Sequence, residues 1–142
     1  STLFPYTTLF RSNKMDNVME GQLTENKQEF TEPELESLRR KYKAQDGRIY
    51  EVTTTIQEDD EEEKTFTFLF RKPGTASYER YVKLSSNSAV KALKTFVLDN
   101  ICEEQYKKLE AALEEYPAMG ISLGEKLLNM LGLSKDTAVK KL

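Results

Sequence analysis

The sequence predicts an α+β fold: an N-terminal helix, an antiparallel β-hairpin, then three or four packed helices. Three observations predict it. Two neighbouring runs, Arg48–Gln57 and Lys64–Lys72, are rich in β-branched and aromatic residues that alternate with period two. Apolar stripes with helical spacing lie on both sides of these runs. Between the runs stands Glu58-Asp59-Asp60-Glu61-Glu62-Glu63, six consecutive acids that repel one another and favour a solvated connection over packed structure.

Each element has its own local signals. Thr31 and Glu34 have the spacing of a capping box, with Pro33 in the first turn, where its missing N–H does no harm. The first helix then runs from Glu32 to about Ala44, with Leu35, Leu38 and Tyr42 as a narrow apolar stripe. Arg39, Arg40, Lys41 and Lys43 lie towards its C-terminal end, where cations complement the helix dipole. Asp46–Gly47 reads as a turn into the first strand. In that strand Tyr50, Val52, Thr54 and Ile56 share a face; in the second, Phe66, Phe68 and Phe70 do. A lone hairpin is marginal in water, so the three phenylalanines need a cover that the helices must supply.

Pro73-Gly74 ends the second strand, and Thr75 is the expected cap of a short helix carrying Tyr78, Tyr81 and Val82. Ser85-Ser86-Asn87-Ser88 is expected as a loop that caps the next helix, Ala89–Asn100. Its stripe is read as Ala89, Leu93, Phe96, Val97 and Ile101. Glu103–Glu115 repeats the pattern with Tyr106, Leu109, Leu113 and Tyr116 and is closed by Pro117. Ser122 and Glu125 have capping-box spacing and are expected to open a last helix, Leu123–Leu131, ending at Gly132.

The organisation expected is one α+β domain over residues 30–133, preceded by a disordered polar leader at 15–29 and followed by a basic tail at 134–142. Residues 1–14 are set apart as non-native. Thr2–Ser12 (TLFPYTTLFRS) matches, residue for residue, the translation of a sequencing-adaptor oligonucleotide. Met15 or Met19 is then the natural start, and the gene comes from assembled reads. Without Arg11 and Lys14 the formal net charge moves from −3 to −5.

Composition excludes several chemistries. The 142 residues contain no His and one Cys. Mechanisms that use a histidine base or ligand are therefore closed, as are an intrachain disulfide and a Cys/His zinc site. No window approaches the ~18 consecutive apolar residues of a membrane span. Cys102 precedes Glu103-Glu104, which disfavour its thiolate. The acidic run lacks the alternating ligands and glycine of a calcium loop. Gly120 and Gly124 fit no phosphate-binding motif. The cations and aromatics from Arg71 to Lys83 read as a strand end and helix in a net acidic chain, not as a nucleic-acid surface. The expectation is a non-enzymatic protein with no cofactor or metal, no nucleic acid and no membrane.

The region Tyr50–Gly132 resembles small phage proteins encoded in the tail-assembly region. An aromatic strand ends in Phe70-Arg71-Lys72-Pro73, and a short helix with Tyr78-Glu79-Arg80-Tyr81 follows. Then come a helix with Ala89, Ala92, Leu93 and Val97, an acidic helix, and a Leu-rich end at 127–133. This order of features is similar to that of the tail assembly chaperones. The resemblance implies a non-enzymatic factor that binds the tape measure protein or the tail tube protein in the cytoplasm of a bacterial host and keeps it soluble until the tube polymerises. Under this reading the expected contact residues are Tyr78, Tyr81, Leu127, Leu128 and Leu131. A phage or bacterial inhibitor of a host factor, and a structural tail or neck component, stay open beside it. The oligomeric state is not legible in the sequence.

Overall fold

The structure, a computed structural model, describes residues 30–45 and 47–142. The readings for residues 1–29 and for Asp46 lie outside these. Within them the order of elements is α1 (Glu32–Ala44), β1 (Ile49–Ile56), β2 (Lys64–Arg71), α2 (Thr75–Ser85), α3 (Ala89–Asn100), a 3₁₀ turn (Glu103–Gln105), α4 (Tyr106–Glu115) and α5 (Met119–Met130). The chain has the expected α+β architecture, one helix and a hairpin followed by four helices. No helix among the described residues is long and apolar enough to cross a membrane.

The first helix forms as its sequence signals require. Glu34 N–H donates to Thr31 Oγ1 at 3.3 Å, and Thr31 N–H donates back to Glu34 Oε1 at 2.9 Å. Leu35, Leu38 and Tyr42 are its buried face. The two strands pair antiparallel over eight residue pairs, from Ile49↔Arg71 to Ile56↔Lys64. Period-two alternation puts Phe66, Phe68 and Phe70 on one face, all buried. They join Phe96, Val97, Leu109, Leu113, Met119, Leu123 and Leu127 in the main core, and the rings of Phe68 and Phe70 meet edge-on at 6.2 Å. The opposite face is covered as well. Leu69 packs with Leu38, Tyr42 and Cys102 in a second cluster beneath α1. The hairpin is therefore a layer between α1 and the C-terminal helices.

Several local expectations are corrected. Thr75 does not cap α2: Gly74 holds the cap position with extended backbone, no side chain bonds the first turn, and Thr75 is itself helical. Ser85 belongs to α2, and Ser88 alone caps α3, accepting from Lys91 N–H at 3.2 Å. The buried stripe of α3 is Ala92, Phe96, Val97 and Asn100, while Ala89 stays exposed at the helix start. Ile101 is buried beyond the helix end, bridging to Phe70. The last helix begins at Met119, not Leu123, so Ser122 and Glu125 lie within it as exposed residues. Burial overrides the local cap here. Met119, Leu123 and Leu127 recur every four residues and form one core-facing ridge. Gly124 lets α5 approach α3, since a Cβ there would come within 2.6 Å of Leu93 Cδ2. Gly132, at φ +106°, ends α5: its N–H donates to Asn129 O and that of Leu133 to Leu128 O, the paired bonds of a Schellman motif. The tail, 134–142, has no helix and is exposed.

Candidate functional site

The fold brings two distant stretches together around one concavity of about 570 Å³. From the β2–α2 junction come Lys72, Pro73 and Tyr78; from the end of α5 come Leu128, Leu131 and Leu133. Pro73-Gly74 turns the chain sharply out of β2, which sets Tyr78 over this hollow, 42% exposed. The Schellman turn at Gly132 folds Leu133 back across the other wall. A second hollow, about 350 Å³, shares Lys72 and Pro73 and carries Arg48 and Arg71. The combined surface mixes apolar and polar lining and carries a cationic rim. Among the described residues no carboxylate pairs with Arg48, Arg71 or Lys72.

Of the five expected contact residues, Tyr78, Leu128 and Leu131 line this groove. Tyr81 stands behind it, half-buried, with its ring 5.0 Å from Phe96 and 6.4 Å from Tyr78. Leu127 is fully buried in the main core, so its side chain is not on the surface.

A second concave surface was not anticipated. Between the start of α3 and the α4–α5 turn lies an almost wholly apolar cleft of about 250 Å³. Val90 and Ile121, 71% and 61% exposed, stand at its mouth, and Leu93, Leu113 and Pro117 form its walls. Lys94 is the charged residue of the lining and pairs with Glu114 at 3.0 Å. Val90 and Ile121 lie off the core stripes of their helices, which was the available signal. Their meeting across the α3–α5 contact is tertiary.

The polar interior is built for structure. Glu104, 3% exposed, accepts from Tyr42 O–H at 2.5 Å and from Lys41 Nζ. Burial opposes its ionisation, but the bonds from Lys41 and Tyr42 outweigh burial and hold the carboxyl below its ordinary range. Burial, joined by the bond to Glu104, raises the Tyr42 phenol in turn. Cys102 lies beside this pair, its thiol pushed up to about 12 by burial, with the nearby Glu104 charge adding to it. Asn100 Nδ2 donates to Ser77 Oγ at 2.9 Å, tying α3 to α2. These groups are hidden in the sequence because acids and amides ordinarily face water. Among the described residues no three His, Cys, Asp or Glu side chains converge in a way that could hold a metal ion.

A family model described as a domain of unknown function, DUF6848, matches residues 38–140, from the middle of α1 into the tail. No curated protein matches the chain. The solved structure of an uncharacterised protein from Bacillus stearothermophilus is similar, with 27% sequence identity and a TM-score of 0.60 over 75% of this chain and 99% of that one.

Proposed function

The chain belongs to the family described as DUF6848, a domain of unknown function; we propose, from the groove and the sequence resemblance, that it is a non-enzymatic binding protein of phage tail assembly, a chaperone-like factor for the tape measure or tail tube protein. The observation that carries the reading is the groove where Tyr78, Leu128 and Leu131 meet Lys72 and Pro73. Partly exposed aromatic and leucine side chains set among polar surface can take up one face of an amphipathic helix, and flanking charge orients it. The resemblance of the region Tyr50–Gly132 to tail assembly chaperones supplies the identity of the partner. Net acidic charge, −3 over the chain, suits a factor that keeps an aggregation-prone partner in solution in the host cytoplasm.

The test is co-expression with the tape measure protein encoded nearest its gene. The wild-type chain should co-purify with that protein and raise its soluble fraction. Tyr78→Asp should lose both effects while the chain stays folded, because Tyr78 is 42% exposed and is not one of the buried core residues. A wild-type chain that neither binds nor solubilises the tape measure protein defeats the chaperone reading.

A further inference from the structure

The two edges of the hairpin are finished differently. β2 turns residues 67 and 69 outward, and their backbone groups are bonded. Leu69 N–H donates to Gln105 Oε1 at 2.8 Å, Gln105 Nε2 donates to Thr67 O at 3.0 Å, and Cys102 N–H donates to Leu69 O at 2.9 Å. The side-chain amide of Gln105, fully buried, stands in for a neighbouring strand.

Among the described residues β1 has no such seal. Lys72 N–H donates to Arg48 O at 3.0 Å, and the register continues from there, so the even-numbered residues of β1 are those hydrogen-bonded to β2. The N–H and C=O groups of Ile49, Glu51, Thr53 and Thr55 point away from β2. Among the described residues no backbone or side-chain group bonds them. The usual guards of an exposed edge are also missing. The eight pairs run without a bulge, and no Pro, Lys or Arg lies between Ile49 and Ile56. The one charge, Glu51, is already held by Arg39 at 2.7 Å.

We propose that two copies of this chain pair antiparallel through β1, about a two-fold axis at Thr53, to form one four-stranded sheet. Such an axis stands perpendicular to the sheet and preserves its faces, so odd-numbered residues must meet odd-numbered residues. With Thr53 opposite Thr53, Glu51 lies opposite Thr55 and no like charges meet. Continued one residue before Ile49 and two beyond Ile56, the same register brings Glu58 of each copy towards Arg48 of the other. The acidic run Asp59–Glu63 follows Glu58, while Arg71 at the end of β2 and Lys72 just after it lie beside Arg48. Charge complementarity thus occurs twice, once at each end of the pairing. Glu58 accepts from Tyr116 O–H through Oε1 only, which leaves Oε2 for the guanidinium. A shift of one residue would aim the outward groups at backbone that β2 already engages, and a shift of two would lose the Glu58–Arg48 match. The pairing does not depend on the tail-assembly reading.

Light scattering and sedimentation of the full chain test it. The wild type should be a dimer, and Thr53→Pro should be a folded monomer whose melting temperature matches that of the wild type diluted until it dissociates, since the change deletes an outward N–H and spares the internal ladder. If T53P does not fold, Thr53→Lys carries the same test by placing a cation on the edge. R48E and E58K should each weaken the dimer several-fold, and the charge-swapped double variant R48E/E58K should recover it. Amide exchange at Thr53 and Thr55 should slow as concentration rises. A wild type that stays monomeric at its highest soluble concentration overturns the proposal. So does a dimer indifferent to T53P and T53K, or Thr53 protection independent of concentration, which would mean that the chain's own residues cover the edge.

Discussion

At the scale of residues, the stability of the α1 attachment centres on Glu104. Its carboxylate is buried yet ionised, because Lys41 and Tyr42 both donate to it. Its folded pKa lies below that of the unfolded chain. The resulting stabilisation is fully present above the unfolded value, ~4.3, and is lost as pH falls through the folded value. Glu104→Gln should therefore lower stability at neutral pH by about 1–3 kcal/mol, the cost of weakening a buried charged hydrogen bond. It should also flatten the acid limb of a melting-temperature profile. A variant whose acid limb matches the wild type would show that Glu104 is protonated in the fold. Sequence alone gave no sign that Glu104 is buried, because Glu103-Glu104 looks like the start of an acidic helix. What distinguishes them is the 3₁₀ turn, which leaves Glu103 exposed and turns Glu104 inward towards α1.

At the scale of elements, the hairpin is the structural centre, with one face on the C-terminal helices and the other on α1. Phe68 lies in the middle of its Phe face and is fully buried. Phe68→Asp should destabilise the fold by roughly 3–5 kcal/mol or more, combining a lost large core side chain with a buried charge. Denaturant titration reads this directly, and an unchanged midpoint would mean that the wrong face has been assigned to the core. Element boundaries were legible wherever a local signal acts alone. The Thr31 box sets the start of α1, and Gly132 sets the end of α5. They failed where a local signal competed with burial. Ser122 and Glu125 have capping-box spacing, yet the helix starts three residues before Ser122 because Met119 is needed in the core.

At the scale of the whole molecule, the family match begins at residue 38, after Ser1–Lys14. Removing Ser1–Lys14 should leave the melting temperature unchanged by calorimetry; a large drop would refute the reading of that segment as foreign. What the sequence by itself determined was the α+β class, the hairpin, the order of the helices and the face that the phenylalanines bury. Those follow from side-chain periodicity and capping chemistry, which act within a few residues. Only the tertiary structure decided which surfaces exist. The groove joins residues 72–78 to residues 128–133, and the apolar cleft joins Val90 to Ile121. The second buried face of the hairpin, the inward turn of Glu104 and the contrast between the sealed edge of β2 and the open edge of β1 arise in the same way. Each depends on which side chains from remote stretches compete for the same volume and the same hydrogen bonds, and no local pattern in the chain encodes that outcome.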